Sequence, residues 1–76
     1  MSKKLARAMV EGKVVVYNVT SGEVMVKVPL VEGGERTVLV PALSKVELAP
    51  KYTDAKLISR SRNLGGLLYK GVLRIQ

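Results

Sequence analysis

The sequence predicts a small all-β domain, an antiparallel sandwich or partly open barrel of about five strands. Three observations carry this. Short apolar segments recur between turn residues. Residues 24–30 alternate cleanly, with Val24, Val26, Val28 and Leu30 on one side, the period-2 mark of a strand with one buried face. The only two internal prolines of the central region, Pro29 and Pro41, sit at segment ends, where a missing N–H does least harm to a ladder.

The elements follow in order. Residues 1–12 read as a basic N-terminal arm and residues 13–76 as the single β domain. Leu5 and Met9 are four apart, so one or two helical turns can form, and Gly12 ends them. No capping box starts that helix, and an isolated helix this short is marginal in water. The arm is therefore expected to be disordered until it meets a partner; an ordinary frayed terminus is the plainer alternative. Residues 13–20 (KVVVYNVT) form the first strand. Both of its faces are apolar near the start, so its core face stays open. Ser21-Gly22 turns the chain into the second strand, residues 23–31. Met25 lies on its outer face, where packing beneath the N-terminal arm is preferred to a contact patch.

Glu32-Gly33-Gly34-Glu35 is a hairpin loop, and residues 36–40 return antiparallel. Pro41 makes a corner. Residues 44–49 form a further strand of the same meander, with Val46 and Leu48 facing in. Residues 51–63 are polar and irregular, with Thr53 or Asp54 available to cap a turn. A short C-terminal helical turn runs from an Asn63 cap through Leu64, Leu67 and Leu68 to Gly71. Residues 72–75 close the chain as a last strand.

The composition excludes much chemistry. There is no cysteine and no histidine, so no disulfide and no thiolate or imidazole metal site is available. The serines have no imidazole to activate them. Glu32 and Glu35 flank a hairpin tip, where nothing buries or tunes a carboxylate pair. Gly33-Gly34 and Gly65-Gly66 lack the lysine spacing of a phosphate loop. The chain is read as a non-enzyme with no cofactor and no metal. No apolar run approaches the ~20 residues of a membrane span, so no membrane partner is expected.

The net charge is +7, and its distribution matters more than its size. Residues 1–13 carry Lys3, Lys4, Arg7 and Lys13 against Glu11, a balance of +3. Residues 14–50 carry Lys27, Arg36 and Lys45 against Glu23, Glu32, Glu35 and Glu47, a balance of −1. Residues 51–76 carry Lys51, Lys56, Arg60, Arg62, Lys70 and Arg74 against Asp54, a balance of +5. Two basic ends on a near-neutral middle favour an acidic partner, either nucleic acid or an acidic protein surface. The candidate contact residues are Lys3, Lys4, Leu5, Arg7, Met9, Arg60 and Arg62. A solvated basic face is the bland alternative.

The order of parts carries a resemblance. A strand runs into Asn18-Val19-Thr20-Ser21-Gly22. A second ends near a proline and a glycine turn, Pro29 to Gly34. After the Pro41 corner come a strand and an apolar cluster ending Lys70-Gly71-Val72-Leu73-Arg74-Ile75. From about Val14 to Ile75 this layout resembles small all-β bacteriophage virion accessory proteins of the decoration, cement or head–tail completion type. The resemblance implies a structural subunit that caps or bridges larger capsid or tail proteins, such as a major capsid protein. It implies several copies or a homo-oligomer, and a place in the virion after assembly in the host cytoplasm. Residues 1–12 and Ser59-Arg60-Ser61-Arg62 lie outside the pattern. The alternative is a small basic β-barrel that binds DNA or RNA through its basic termini.

Overall fold

A computed structural model describes residues 3–76 of the chain. It contains five antiparallel strands in two sheets: β1 (Val14–Asn18), β2 (Val24–Pro29), β3 (Glu35–Val40), β4 (Lys45–Ala49) and β5 (Leu73–Ile75). Two α-helices, α1 (Lys3–Glu11) and α2 (Arg62–Tyr69), and a 3-10 helix over Ala55–Arg60 complete it. The strand pairing among the described residues does not close on itself, so there is no barrel. The helical elements make all-β only a rough description.

One sheet has the order β4-β1-β5 and the other is the β2-β3 hairpin. The hairpin keeps the expected register. Val24, Val26 and Val28 pair with Val40, Val38 and Arg36, and the valines of the inner face are buried or nearly so. Its loop uses Gly33 and Gly34 at φ +100° and +77°, a region that costs other residues a Cβ clash. The expected meander, however, breaks at Pro41. β4 leaves β3 and joins β1 in the other sheet. Pro41 donates no hydrogen bond, and the corner then passes through Leu43 at φ 52°. That left-handed residue redirects the chain, and its N–H goes to the carbonyl of Thr20 at 3.1 Å.

The open question of the β1 face is settled by Val14, Val16 and Asn18, which are all fully buried. Val14 and Val16 pack with Val26, Val28, Val40, Leu48, Ile58, Leu64 and Leu73 in one core. β5 pairs with β1 through Val16↔Ile75 and Asn18↔Leu73, which ties the C-terminal strand to the central strand of the sheet.

The N-terminal segment differs from the free arm expected of it. Residues 3–11 are helical, and Leu5 and Ala8 belong to the core. Burial of an apolar stripe supplies what helix propensity alone lacks. Met9 is half-buried against the same core. Met25 is not covered by this helix and remains 64% exposed.

Residues 51–63 are also more ordered than their polarity suggests. Asp54 caps the 3-10 helix by accepting from the Lys56 N–H at 2.8 Å. Ser61, rather than Asn63, caps α2, accepting from the Leu64 N–H at 3.1 Å. Asn63 is thereby freed for β2, as described below. At the other end of α2, Gly71 takes φ +77°. Its N–H goes to the Leu68 carbonyl and the Val72 N–H to the Leu67 carbonyl. This is the paired 5→2 and 6→1 closure of a helix ending in glycine.

Candidate interaction surfaces

Two kinds of surface can be built up from the residues: the sheet edges with their outer face, and the face where the basic ends meet. Nothing among the described residues groups three or more carboxylates, thiols or imidazoles about a point.

The outer edge of β2 is sealed by side chains. Asn63 accepts from the Lys27 N–H at 2.9 Å, while the Ser61 and Thr53 hydroxyls donate to the carbonyls of Lys27 and Pro29. Thr53 and Ser61 are buried. The polar segment after β4 thus acts as a side-chain strand, satisfying main-chain groups that would otherwise invite another chain. β3 differs, having β2 as its one strand neighbour among the described residues. Arg36, at its start, lies over the Tyr52 ring at 5.0 Å, which holds the hairpin to the segment after β4.

On the solvent side of this hairpin Met25 pairs directly with Leu39. They are 64% and 43% exposed, and Val31 beyond them is 72% exposed. An apolar cross-strand pair facing water, next to an edge with no strand neighbour, is the kind of surface another protein covers.

Asn18 sets the end of this region. It is 0% exposed. Its Nδ2 donates to the carbonyls of Gly22, Val40 and Pro41 at 2.8, 3.1 and 3.2 Å. Its Oδ1 accepts from both the N–H and the hydroxyl of Thr20, at 2.9 and 2.7 Å. The Asn18–Gly22 motif is thus a bracket that fixes the turn and joins β1 to the end of β3.

The second surface unites residues far apart in sequence. Lys3 and Lys4 line one shallow groove together with Leu68, Leu73, Arg74 and Ile75. An adjoining apolar groove, sharing Leu68, is lined by residues that include Leu5, Arg62, Gly65 and Tyr69. The two basic ends of the chain therefore converge on the face made by α1, α2 and β5. Among the candidate contact residues, Lys3, Lys4, Arg7, Arg60 and Arg62 are exposed. Leu5 is 5% exposed and serves the core, showing only its groove-lining edge. Met9 lines a separate depression with Val31, Tyr52 and Asp54. Arg74 and Tyr69 were not among the candidates. The charge of the last segment pointed to Arg74, whereas nothing local distinguished Tyr69, which is 93% exposed.

Compared with known proteins, the chain matches no family model, no curated protein and no solved structure.

Proposed function

We propose that this protein is a non-enzymatic structural subunit of a bacteriophage virion, capping or bridging larger capsid or tail proteins. In this role the domain is a small two-sheet sandwich whose hairpin is its docking element. The observation that carries it is the pairing of an unaccompanied β3 edge with the outward Met25–Leu39 pair. Main-chain bonds to the edge would give affinity, and the apolar pair would give the contact its hydrophobic centre. The contrast with β2 supports this assignment, because one edge of the hairpin is sealed by Asn63, Ser61 and Thr53, whereas among the described residues a side chain bonds the other only at its Val40 end, through Asn18. The layout from Val14 to Ile75 supports the virion as the setting, and several symmetric copies per particle are expected.

Mass spectrometry of purified particles tests the setting, and their lacking the polypeptide would end the proposal. A Met25→Lys/Leu39→Lys variant tests the surface. Both positions are solvent-facing, so the fold should survive while incorporation into particles falls at least tenfold, the cost of losing about 1.4 kcal/mol or more of buried apolar contact. Incorporation at the parental level would remove the hairpin from the interface.

A further inference from the structure

We infer that the face formed by α1, α2 and β5 is a binding surface for single-stranded nucleic acid. This concerns a different surface from the hairpin and stands whether or not the chain is a virion subunit.

The first argument is uncompensated charge. Lys3, Lys4, Arg62 and Arg74 are exposed along two grooves that share Leu68, and no carboxylate is among the residues lining either one. The single ion pair among the described residues, Lys13 to Glu47 at 3.9 Å, lies elsewhere. Four like charges on one side of so small a domain repel one another.

The second argument is placement. Lys3 and Lys4 open α1, and no acidic residue stands in its first turn. The start of a helix carries partial positive charge, which disfavours cations there. The chain thus puts two lysines where its own backbone opposes them. An external anion at that point would relieve both conflicts.

An exposed aromatic ring distinguishes among anions. Tyr69, at the rim of the same groove as Arg62, is 93% exposed. An acidic peptide has no use for a bare aromatic face, whereas an unpaired base stacks on one, and a guanidinium offers a second flat surface. Duplex DNA hides its base faces, so the ring selects for single strands. The helix between Arg62 and Tyr69 adds to this. Gly65 and Gly66 are exposed, neither needs a positive φ, and a Cβ on either would meet nothing within 4 Å. The fold does not require them, though each weakens a helix relative to alanine. Their effect is a bare stretch of backbone beside the ring, open to close approach.

Fluorescence polarisation of the full chain with a short labelled oligothymidylate tests the inference, with the matching duplex and polyglutamate as competitors. Binding at low salt should weaken as salt rises, with a log–log slope of about −3 if four cations meet phosphates at ~0.7 each on a single strand. Arg62→Ala/Arg74→Ala should roughly halve that slope. Tyr69→Ala should cost about tenfold in affinity and leave the slope alone, the mark of stacking rather than charge. Gly65→Ala should weaken binding without lowering the thermal midpoint. No binding at low salt would overturn the inference. So would displacement by polyglutamate as readily as by unlabelled oligonucleotide, tighter binding of the duplex, or a Tyr69→Ala variant that binds as well as the parent.

Discussion

At the scale of single residues, Asn18 bears more of the architecture than any other polar side chain. It is an amide with no exposure, satisfied on both its nitrogen and its oxygen. Its position explains the Asn-x-Thr-x-Gly spacing. The oxygen holds Thr20 two residues on, and the nitrogen reaches Gly22 four residues on before crossing to Val40 and Pro41. Asn18→Ala would remove five hydrogen bonds at once, among them the buried one to the Val40 carbonyl, and a buried group left unsatisfied costs about 1–3 kcal/mol. The variant is expected to lose about 3 kcal/mol in urea denaturation, a large share of what a domain of this size possesses. Asn18→Asp should fare no better, since a carboxylate has no hydrogens to give those three carbonyls and its charge would be buried among their negative ends. A loss below about 0.5 kcal/mol for both variants would show that the bracket is incidental. The motif was visible in the sequence as a turn. Its long reach was not, because the acceptors, at the last residue of β3 and the residue after it, lie 22 and 23 residues away.

At the scale of elements, what was legible and what was not divide by the range of the interactions. The β2-β3 hairpin was legible because its signals are local: alternation, a glycine pair and a proline at the end. The C-terminal helix and final strand were legible for the same reason. The face of β1 was not, since its neighbours on either side, β4 and β5, are separated from it along the chain. The polar segment 51–63 read as irregular because its purpose is to bond the edge of β2, and main-chain partners of Thr53, Ser61 and Asn63 leave no periodicity behind. The arrangement of the candidate surface residues was half legible. Lys3, Lys4 and Arg62 followed from charge, whereas their meeting with Arg74 and Tyr69 depends on the docking of α1. That docking is itself testable. Leu5 and Ala8 lie three apart on one stripe and are buried. Leu5→Ala should destabilise the domain by about 2–4 kcal/mol, with exposed Lys4→Ala as a control within about 0.5 kcal/mol of the parent. Equal stability of the two variants would return residues 3–11 to the status of a free arm.

At the scale of the whole molecule, charge and size act against each other. The chain of 76 residues carries +7 on a radius of gyration of 11.1 Å. Residues 1–13 and 51–76 hold all of that excess, the middle of the chain being slightly acidic, and folding brings groups from both, Lys3, Lys4 and Arg74, to one groove. Folding therefore concentrates like charge that the unfolded chain keeps apart. Among the described residues one ion pair, Lys13–Glu47, at 3.9 Å and partly exposed, offers little attraction in return. Added salt screens both kinds of interaction, with a Debye length of about 10 Å at 0.1 M and ~30 Å at 0.01 M. Because repulsion dominates here, screening should stabilise the folded state. The thermal midpoint of the isolated chain is expected to rise between low and moderate sodium chloride. A gain of about 0.5–1 kcal/mol corresponds to roughly 2–8 °C for a domain of this length. A protein held together by favourable ion pairs would respond in the opposite direction. Arg62→Ala/Arg74→Ala should raise the midpoint at low salt and flatten its salt dependence, because the variant removes repulsion at its source. A falling midpoint with salt, or a double variant less stable than the parent, would mean that these cations are compensated within the domain and do not await an anionic partner.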